Sequence, residues 1–483
     1  MKQLQRILEN VIARANINLR RSAIDVGPYV HGAVPQDNYA QFYAFYGITT
    51  EHPLFFNFQC SSLAGSYFFG KCDVQHSVLY KCDVRGDELK SVTNGFSVDG
   101  VCLRLHNDEV IKIIDSFLHK ALIHSFSHDP EFPEEFVIKN TVALSYANIH
   151  GAPVMGSFLG PFATIDLCTV QNTSIGAFAY VQVCDLQPSI VDPGHIWIRN
   201  KAGDEFSYRY DPEVLAKYVS IAPGERAKGV FMDFVEGRKR DFERVFGFLY
   251  ASRPETYAPG SFVSRYAVVK GETSIGENVL VAQRAYLENA HLGKGANAQE
   301  NSYVVDSVLE GYDVTAHGAK IIGSRLGKNV FVGFNSFLRG TAEAPLTVGE
   351  GSVVLPHSIV DLAEPVDIPP RHVVWGHVTR PGDLATQSVS IDDFAKVDGE
   401  AAIGPMTFTG NGGRFIRAFQ NRIHHILEAN GAYFDGGQQN LGHAQKTKNI
   451  TYNLIQPYVE GGFKGVYPNM RIFPLCCDDD IGM

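Results

Sequence analysis

Residues 274–329, "SIGENVLVAQRAYLENAHLGKGANAQENSYVVDSVLEGYDVTAHGAKIIGSRLGKN", repeat themselves. The segments "SIGEN", "HLGKG", "VLEGY" and "RLGKN" place an aliphatic residue at Ile275, Leu292, Leu309 and Leu326, equally spaced along the chain. A further copy, "TVGEG", brings Val348 after one such step plus an insertion near "GTAEAPL". Within a step, apolar residues recur about every six: Val314, then Ile321 or Ile322, Leu326, Val332 and Leu338. Such a fixed period is the mark of a repeat architecture. Three short strands make a triangular turn, the aliphatic residues point to a narrow axis, and a small residue follows where a large one fits poorly. Successive turns stack about 4.8 Å apart, since no turn buries its apolar side alone.

This pattern resembles the hexapeptide repeat of left-handed parallel β-helix proteins, a group that includes acyltransferases and the γ-class carbonic anhydrases. The resemblance covers about 262–378 and closes on "DIPPRHVVWGHVTR", similar to the "IPPGSVVVGNPAK" ending of the acyltransferases. Earlier, "LGPFATIDLCTVQNTSIGAFAYVQVC" sets Leu159 and Ile175, and likewise Cys168 and Cys184, at one shared spacing, as on adjacent turns. The Lys-Cys-Asp-Val repeats at 71 and 81 read as further β-helix. The fold class is therefore mainly β: left-handed parallel β-helix in at least two stretches, with helical insertions and a mixed C-terminal region.

The expected organisation is a helical segment 1–50, an irregular β-helix 51–190, a mixed α/β insertion 191–261, a regular repeat 262–380 and a mixed C-terminal region 381–483. Leu4, Ile7, Leu8, Val11, Ile12 and Ala15 fall at helical spacing. A helical insertion is expected at 106–124, where Asn107 or Asp108 is a candidate N-cap and Val110, Ile113, Ile114, Phe117, Leu118 and Ala121 share a helical face. Further helices are read at "DFERVFGFLY" and at "GRFIRAFQNRIHHILEANG", the latter ending at Gly431. Helices at the two termini would cover the open edges of the β-helix.

Composition excludes some functions. A net charge of −10 gives no footprint for nucleic acid. No apolar run approaches the roughly 20 residues of a membrane span. The N-terminus lacks the apolar run of a signal peptide. The eight cysteines include no CxxC pair. A cytoplasmic protein with reduced thiols is expected.

The acyltransferase resemblance implies a homotrimer, with acetyl-CoA or another acyl-CoA in the groove between neighbouring β-helices and a small-molecule acceptor. His317 is the candidate general base, and Lys320, Arg325, Lys328 and Arg339 are candidates to meet the cofactor diphosphate. In the γ-class pattern, "LGKGANAQENSYVV" is similar to "IGxGTNIQDNSVIH" and "AHGAKIIGSRLGKN" to "GHGAxLHGCxIGDN". Asn297, Gln299 and Glu300 match Asn-x-Gln-Asp, and His317 matches the first histidine of the second motif. Val305 and Ile322 stand where that family has zinc histidines, and "LEN" replaces its Arg-Gly-Asp. Catalytic zinc needs three protein ligands, so no metal is expected here or at His372 and His377, which lack a third partner. His124 and His128 read as a loop at the β-helix edge. The Gly-rich "TGNGGRFIRAF", with Arg414 and Arg417, is a weak phosphate candidate. Two readings stay open: an acyltransferase-type enzyme, or a non-catalytic scaffold or assembly protein on the same fold. A γ-class relative lacking the usual zinc ligands is a further alternative.

Overall fold

The constant step of the sequence appears directly as strand register. Ile275 pairs with Leu292, Leu292 with Leu309 and Leu309 with Leu326 on consecutive parallel strands, and Val348 stacks next on Leu326. The computed structural model describes residues 1–49, 55–86, 96–98, 101–103, 110–125, 136–151, 153–246 and 257–472. From Phe262–Val263 to His377–Val378, three parallel sheets form a three-sided left-handed β-helix. Leu292, Leu309, Leu326, Val332 and Leu338 are fully buried on its axis.

The glycine that follows Ile275, Leu292 and Leu326 is demanded by the next turn; after Leu309 the position is Glu310. A Cβ on Gly293 would stand 2.1 Å from the carbonyl oxygen of Glu310. The left-handed backbone comes two residues later in each repeat, at Asn278, Gly295, Tyr312 and Asn329, with φ of 58°, 69°, 55° and 58°.

A second β-helix precedes the regular one, and its step is shorter by one residue: Ile149 pairs with Ile165 and Ile165 with Val181. Residues 110–124 belong to it. The strands Ile111–Ile114, Phe117–His119 and Leu122–His124 replace the helix expected at 106–124. Ile111, Ile113, Leu118 and Ile123 fill the axis. The turn of a β-helix brings an inward residue back every five or six positions, which imitates helical spacing over a short window. The N-cap candidates Asn107 and Asp108 lie outside the described residues.

The helix Lys2–Asn18 forms as expected and buries Leu4, Ile7, Leu8, Val11, Ile12 and Ala15. It covers a side of the first β-helix, packing with Val78, Phe117, Val142 and Phe158, rather than an end. The ends are closed by antiparallel strands. Thr451–Ile455 pairs with Ala44–Ile48, Met470–Ile472 with Phe56–Gln59, and Ser388–Ser390 with His372–Val374. These pairings satisfy edge groups that would otherwise recruit another chain. The helix Lys239–Phe246 realises part of "DFERVFGFLY"; residues 247–250 lie outside the described set.

The two β-helices lie side by side. The helix Gly412–Asn430, capped by Asn411 and by Gly431 at φ 84°, runs along their junction. Its Phe415, Ile416 and Phe419 pack with Val314, Phe331 and Phe334 of the second β-helix and Phe206 beyond the first. Across the junction, His357 donates from Nδ1 to the Phe178 carbonyl (3.0 Å) and accepts at Nε2 from Thr164 Oγ1 (2.8 Å). Burial pulls the His357 pKa down to about 3. Above the unfolded-state value near 6.5 the imidazole is neutral in both states; below it only the unfolded chain takes the proton. Stability is therefore lost as pH falls from about 6.5 toward about 3, by up to about 1.4 kcal/mol per pH unit from this group. A urea-midpoint series across pH 7 to 4 is expected to be shallower in His357→Gln than in the wild type, whatever the variant's offset at pH 7; equal slopes would contradict the assignment.

Candidate active site at the seam between the β-helices

A parallel ladder repeats each outward position about every 4.8 Å. In the first β-helix one such ladder carries chemistry on four consecutive turns. Arg85 pairs with His124, His124 with His150, and His150 with Asp166. Opposite it, Gln283, Glu300, His317 and Phe334 recur at the repeat spacing of the second β-helix. Backbone bonds from Gly318 N to Glu300 O and from Asn335 N to His317 O, each 3.0 Å, join three of those turns.

The facing ladders bring His124, His150 and His317 together, each offering one ring nitrogen within 4.8 Å of the others, and all three are buried. Carboxylates stand beside two of the three rings, and one of them fixes its ring by a hydrogen bond. His150 Nδ1 is 2.9 Å from Asp166 Oδ1 and so donates there, leaving Nε2 for the cavity. Asp166 is held in turn by Arg422 Nη1 and Nη2 (2.6 and 2.8 Å) and by the Tyr180 hydroxyl (2.5 Å). Burial alone would raise the Asp166 carboxyl; Arg422 and His150 outweigh it and hold it well below the usual carboxylate range. Glu300, fully buried, accepts from Arg85 Nη1 across the seam. Its Oε2 lies 2.9 Å from His317 Nδ1 without hydrogen-bond alignment, so both atoms stay unsatisfied. Burial, then the neighbouring His150 and Arg85, push the His317 imidazole well below its usual range and keep it neutral.

These groups line a cavity of about 40 Å³, floored by Phe334 and walled by Gln299, Arg422, His425 and Asn430. It has room for about three waters. Asn297 stands back from it; its Oδ1 accepts from the Thr315 amide at 3.2 Å and latches one turn to the next.

Of the predicted base and cofactor residues only His317 reaches this site; Gln299 and Glu300 of the Asn-x-Gln-Asp-like motif, and His124, line it as well. Lys320 is buried between Phe162 and Phe231, donates to the Gly318 carbonyl, and has its pKa pulled down to about 7 by burial. It does not face solvent where a diphosphate would lie. Arg325 is exposed and paired with Glu310 at 2.6 Å; Lys328 is exposed. Arg339 grips Asp361 through two 2.7 Å bonds. His377 meets the Tyr218 hydroxyl at 3.2 Å, and His372 Nδ1 the Pro370 carbonyl at 3.0 Å, so these two histidines serve separate contacts. At the Gly-rich stretch, Asn411 caps the Arg414 amide and Arg414 is clamped on Asp204. That helix start is already satisfied. His124 closes a strand instead of a loop, and His128 lies outside the described residues.

Sequence reasoning missed Arg85 and His150 and gave His124 no part in a site, yet signals for the first two exist. "DVRGDEL" supplies the Arg-Gly-Asp absent before residue 291, and "NIHG" at 148–151 supplies the His-Gly missing at Ile322.

A family model, hexapeptide repeat including loop, matches residues 101–223. A solved structure of a provisionally named acetyltransferase from Desulfovibrio desulfuricans G20 is 53% identical, covers 98% of this chain and 99% of its own, and superposes with a TM-score of 0.91. The chain belongs to the hexapeptide-repeat family. It is an acyltransferase-like hexapeptide-repeat protein in the make-up of its scaffold. An acetyltransferase of Bacillus cereus (14% identity, 37% of this chain and 90% of that one, TM-score 0.26) matches only in part. So does a hexapeptide transferase family protein of Anaplasma phagocytophilum (18%, 37% and 99%, TM-score 0.24). No curated protein matches the chain.

The seam of this hexapeptide-repeat protein also fits a metal. Three imidazoles, one of them His317 with its unsatisfied buried nitrogen, form a donor set of the catalytic zinc kind, and Asp166 behind His150 is the carboxylate that orients such a ligand. Two of these imidazoles, His124 and His150, stand on the first β-helix, where the sequence pattern of the second could not show them. Asp166→Asn is expected to cost about 3–5 kcal/mol in urea denaturation, because it leaves Arg422 without its counter-charge. Lys294→Ala, which breaks an exposed 2.9 Å pair with Glu277, is expected to leave the midpoint in place.

Proposed function

We propose that the seam binds a divalent metal ion of the zinc class and adds water to a small carbonyl compound, carbon dioxide being the simplest. The observation that carries this reading is the convergence of His124, His150 and His317 within 4.8 Å in a buried cavity. When bound, such an ion supplies a Lewis acid that makes a water acidic near neutral pH. The chain's own residues do the rest. Asp166 fixes the His150 tautomer, burial keeps His317 in the ligating form, and Glu300 Oε2 faces His317 as an acceptor for a proton. Phe334 and the helix Gly412–Asn430 exclude bulk water. A cavity of about 40 Å³ suits a substrate of a few atoms and is smaller than an acyl-pantetheine arm.

A second reading, acyl transfer from acyl-CoA to a small hydroxyl or amine acceptor, is favoured by the name of the 53% identical relative. In that reading His317 is the base, Lys320, Arg325, Lys328 and Arg339 serve the cofactor, and a homotrimer supplies the groove. Both readings place the protein in the cytoplasm. No helix among the described residues is long and apolar enough to cross a membrane, and Cys60, Cys72, Cys82, Cys168 and Cys184 are free thiols.

Metal-stripped protein titrated with zinc is expected to take up one ion per chain, and cobalt in its place to give the visible absorption of a tetrahedral site. His124→Ala, His150→Ala and His317→Ala are each expected to weaken zinc binding at least 100-fold. Absence of zinc uptake, together with micromolar acetyl-CoA binding, would overturn the metal reading in favour of acyl transfer.

A further inference from the structure

The seam continues for one more turn beyond the Arg85–Glu300 pair. There the next rung of the first ladder is Phe69, paired with Arg85, and the next rung of the second is Gln283, one repeat step before Glu300. Between them lies a second chamber of about 20 Å³. It shares Arg85, Leu280 and His443 with the histidine cavity, so the two are neighbours through one wall. Its remaining surface is largely apolar, including Phe69, Phe262, Ala282 and Ile450. The Thr447 hydroxyl is already engaged by the His443 carbonyl at 2.6 Å. Gln283 differs: it is 6% exposed, lines the chamber, and its Nε2 has no hydrogen-bond partner.

We infer that this side chamber is a binding site for a small, weakly hydrated molecule carrying a hydrogen-bond acceptor, a linear triatomic of the carbon dioxide class, held beside the histidine cavity. The inference rests on the metal-dependent reading and extends it. Size and polarity both point to this class. The volume exceeds one water-sized probe and excludes anything much larger. A resident water needs two to four polar partners; besides Gln283 Nε2, the polar groups of the lining belong to Arg85, Tyr67, His443, Thr447 and Tyr452, each already engaged in other contacts. A cation finds no acidic side chain in the lining. An apolar molecule with terminal oxygens gains contact with the aromatic walls and accepts from Gln283 Nε2, relieving a buried donor that is otherwise costly. Leu280 and His443 then form the partition across which it passes to the histidines.

Two variants and two measurements test this. Ala282→Phe fills the chamber, and Gln283→Leu removes its donor while keeping its shape. Crystals of the wild-type chain pressurised with carbon dioxide are expected to show linear density within hydrogen-bond distance of Gln283 Nε2, and Ala282→Phe crystals none. In stopped-flow hydration by the zinc-loaded protein, Gln283→Leu is expected to raise KM for carbon dioxide about five-fold. A wild-type chamber holding only water or nothing overturns the inference, as does an unchanged KM in both variants. A protein that takes up no zinc overturns the metal reading instead; the density in the chamber then decides this inference by itself.

Discussion

Lateral registration of two parallel ladders is the constraint on which this molecule depends. Within one β-helix, the spacing between turns is set by backbone hydrogen bonding, so side chains at one outward position stand about 4.8 Å apart. That places His124 and His150 on neighbouring turns at a distance suited to sharing a ligand. It cannot place a third group opposite them. The second β-helix does so, and the buried Arg85–Glu300 pair, with Arg284 and Asn301 meeting Asp83, ties the turns of one to the turns of the other. Buried ion pairs contribute little net stability, but breaking one is costly, so they suit the fixing of register.

The fold was largely legible in sequence because the second β-helix keeps its period. Ile275, Leu292, Leu309 and Leu326 became stacked strand partners. The site was legible by one residue. Glu300 and His317 lie one repeat step apart and announce a shared face, whereas Arg85, His124, His150 and Asp166 follow one another at unequal, shrinking intervals. Insertions between turns lengthen the loops without moving the ladder, so constant spacing in space appears as irregular spacing in sequence. The short return of inward residues within one turn, Ile113, Leu118 and Ile123, made 106–124 read as a helix. No spacing within one β-helix reveals which face will meet the other. That information lies in the packing of Tyr210, Asn335 and His357 across the junction.

Neither Val305 nor Ile322 lines the histidine cavity. Val305 faces Val235 and Tyr303 in an apolar cluster under the helix Val230–Glu236, away from the seam. One chain with two β-helices presents internally a groove that the acyltransferase resemblance assigns to neighbouring subunits. Only one side of each β-helix need then keep polar residues. The C-terminal helix supplies Arg422, which fixes Asp166, and closes the seam with His425 and Asn430. The scaffold is that of the hexapeptide-repeat family, while the buried chemistry at this seam is that of a small, histidine-rich cavity.

Anomalous diffraction at the zinc edge from crystals of the zinc-loaded chain tests the central claim most directly. One strong peak is expected, bounded by His124, His150 and His317, with Asp166 still behind His150 and the Arg85–Glu300 pair intact. A seam without a peak, or zinc bound only at surface histidines such as His31 or His424, would contradict it.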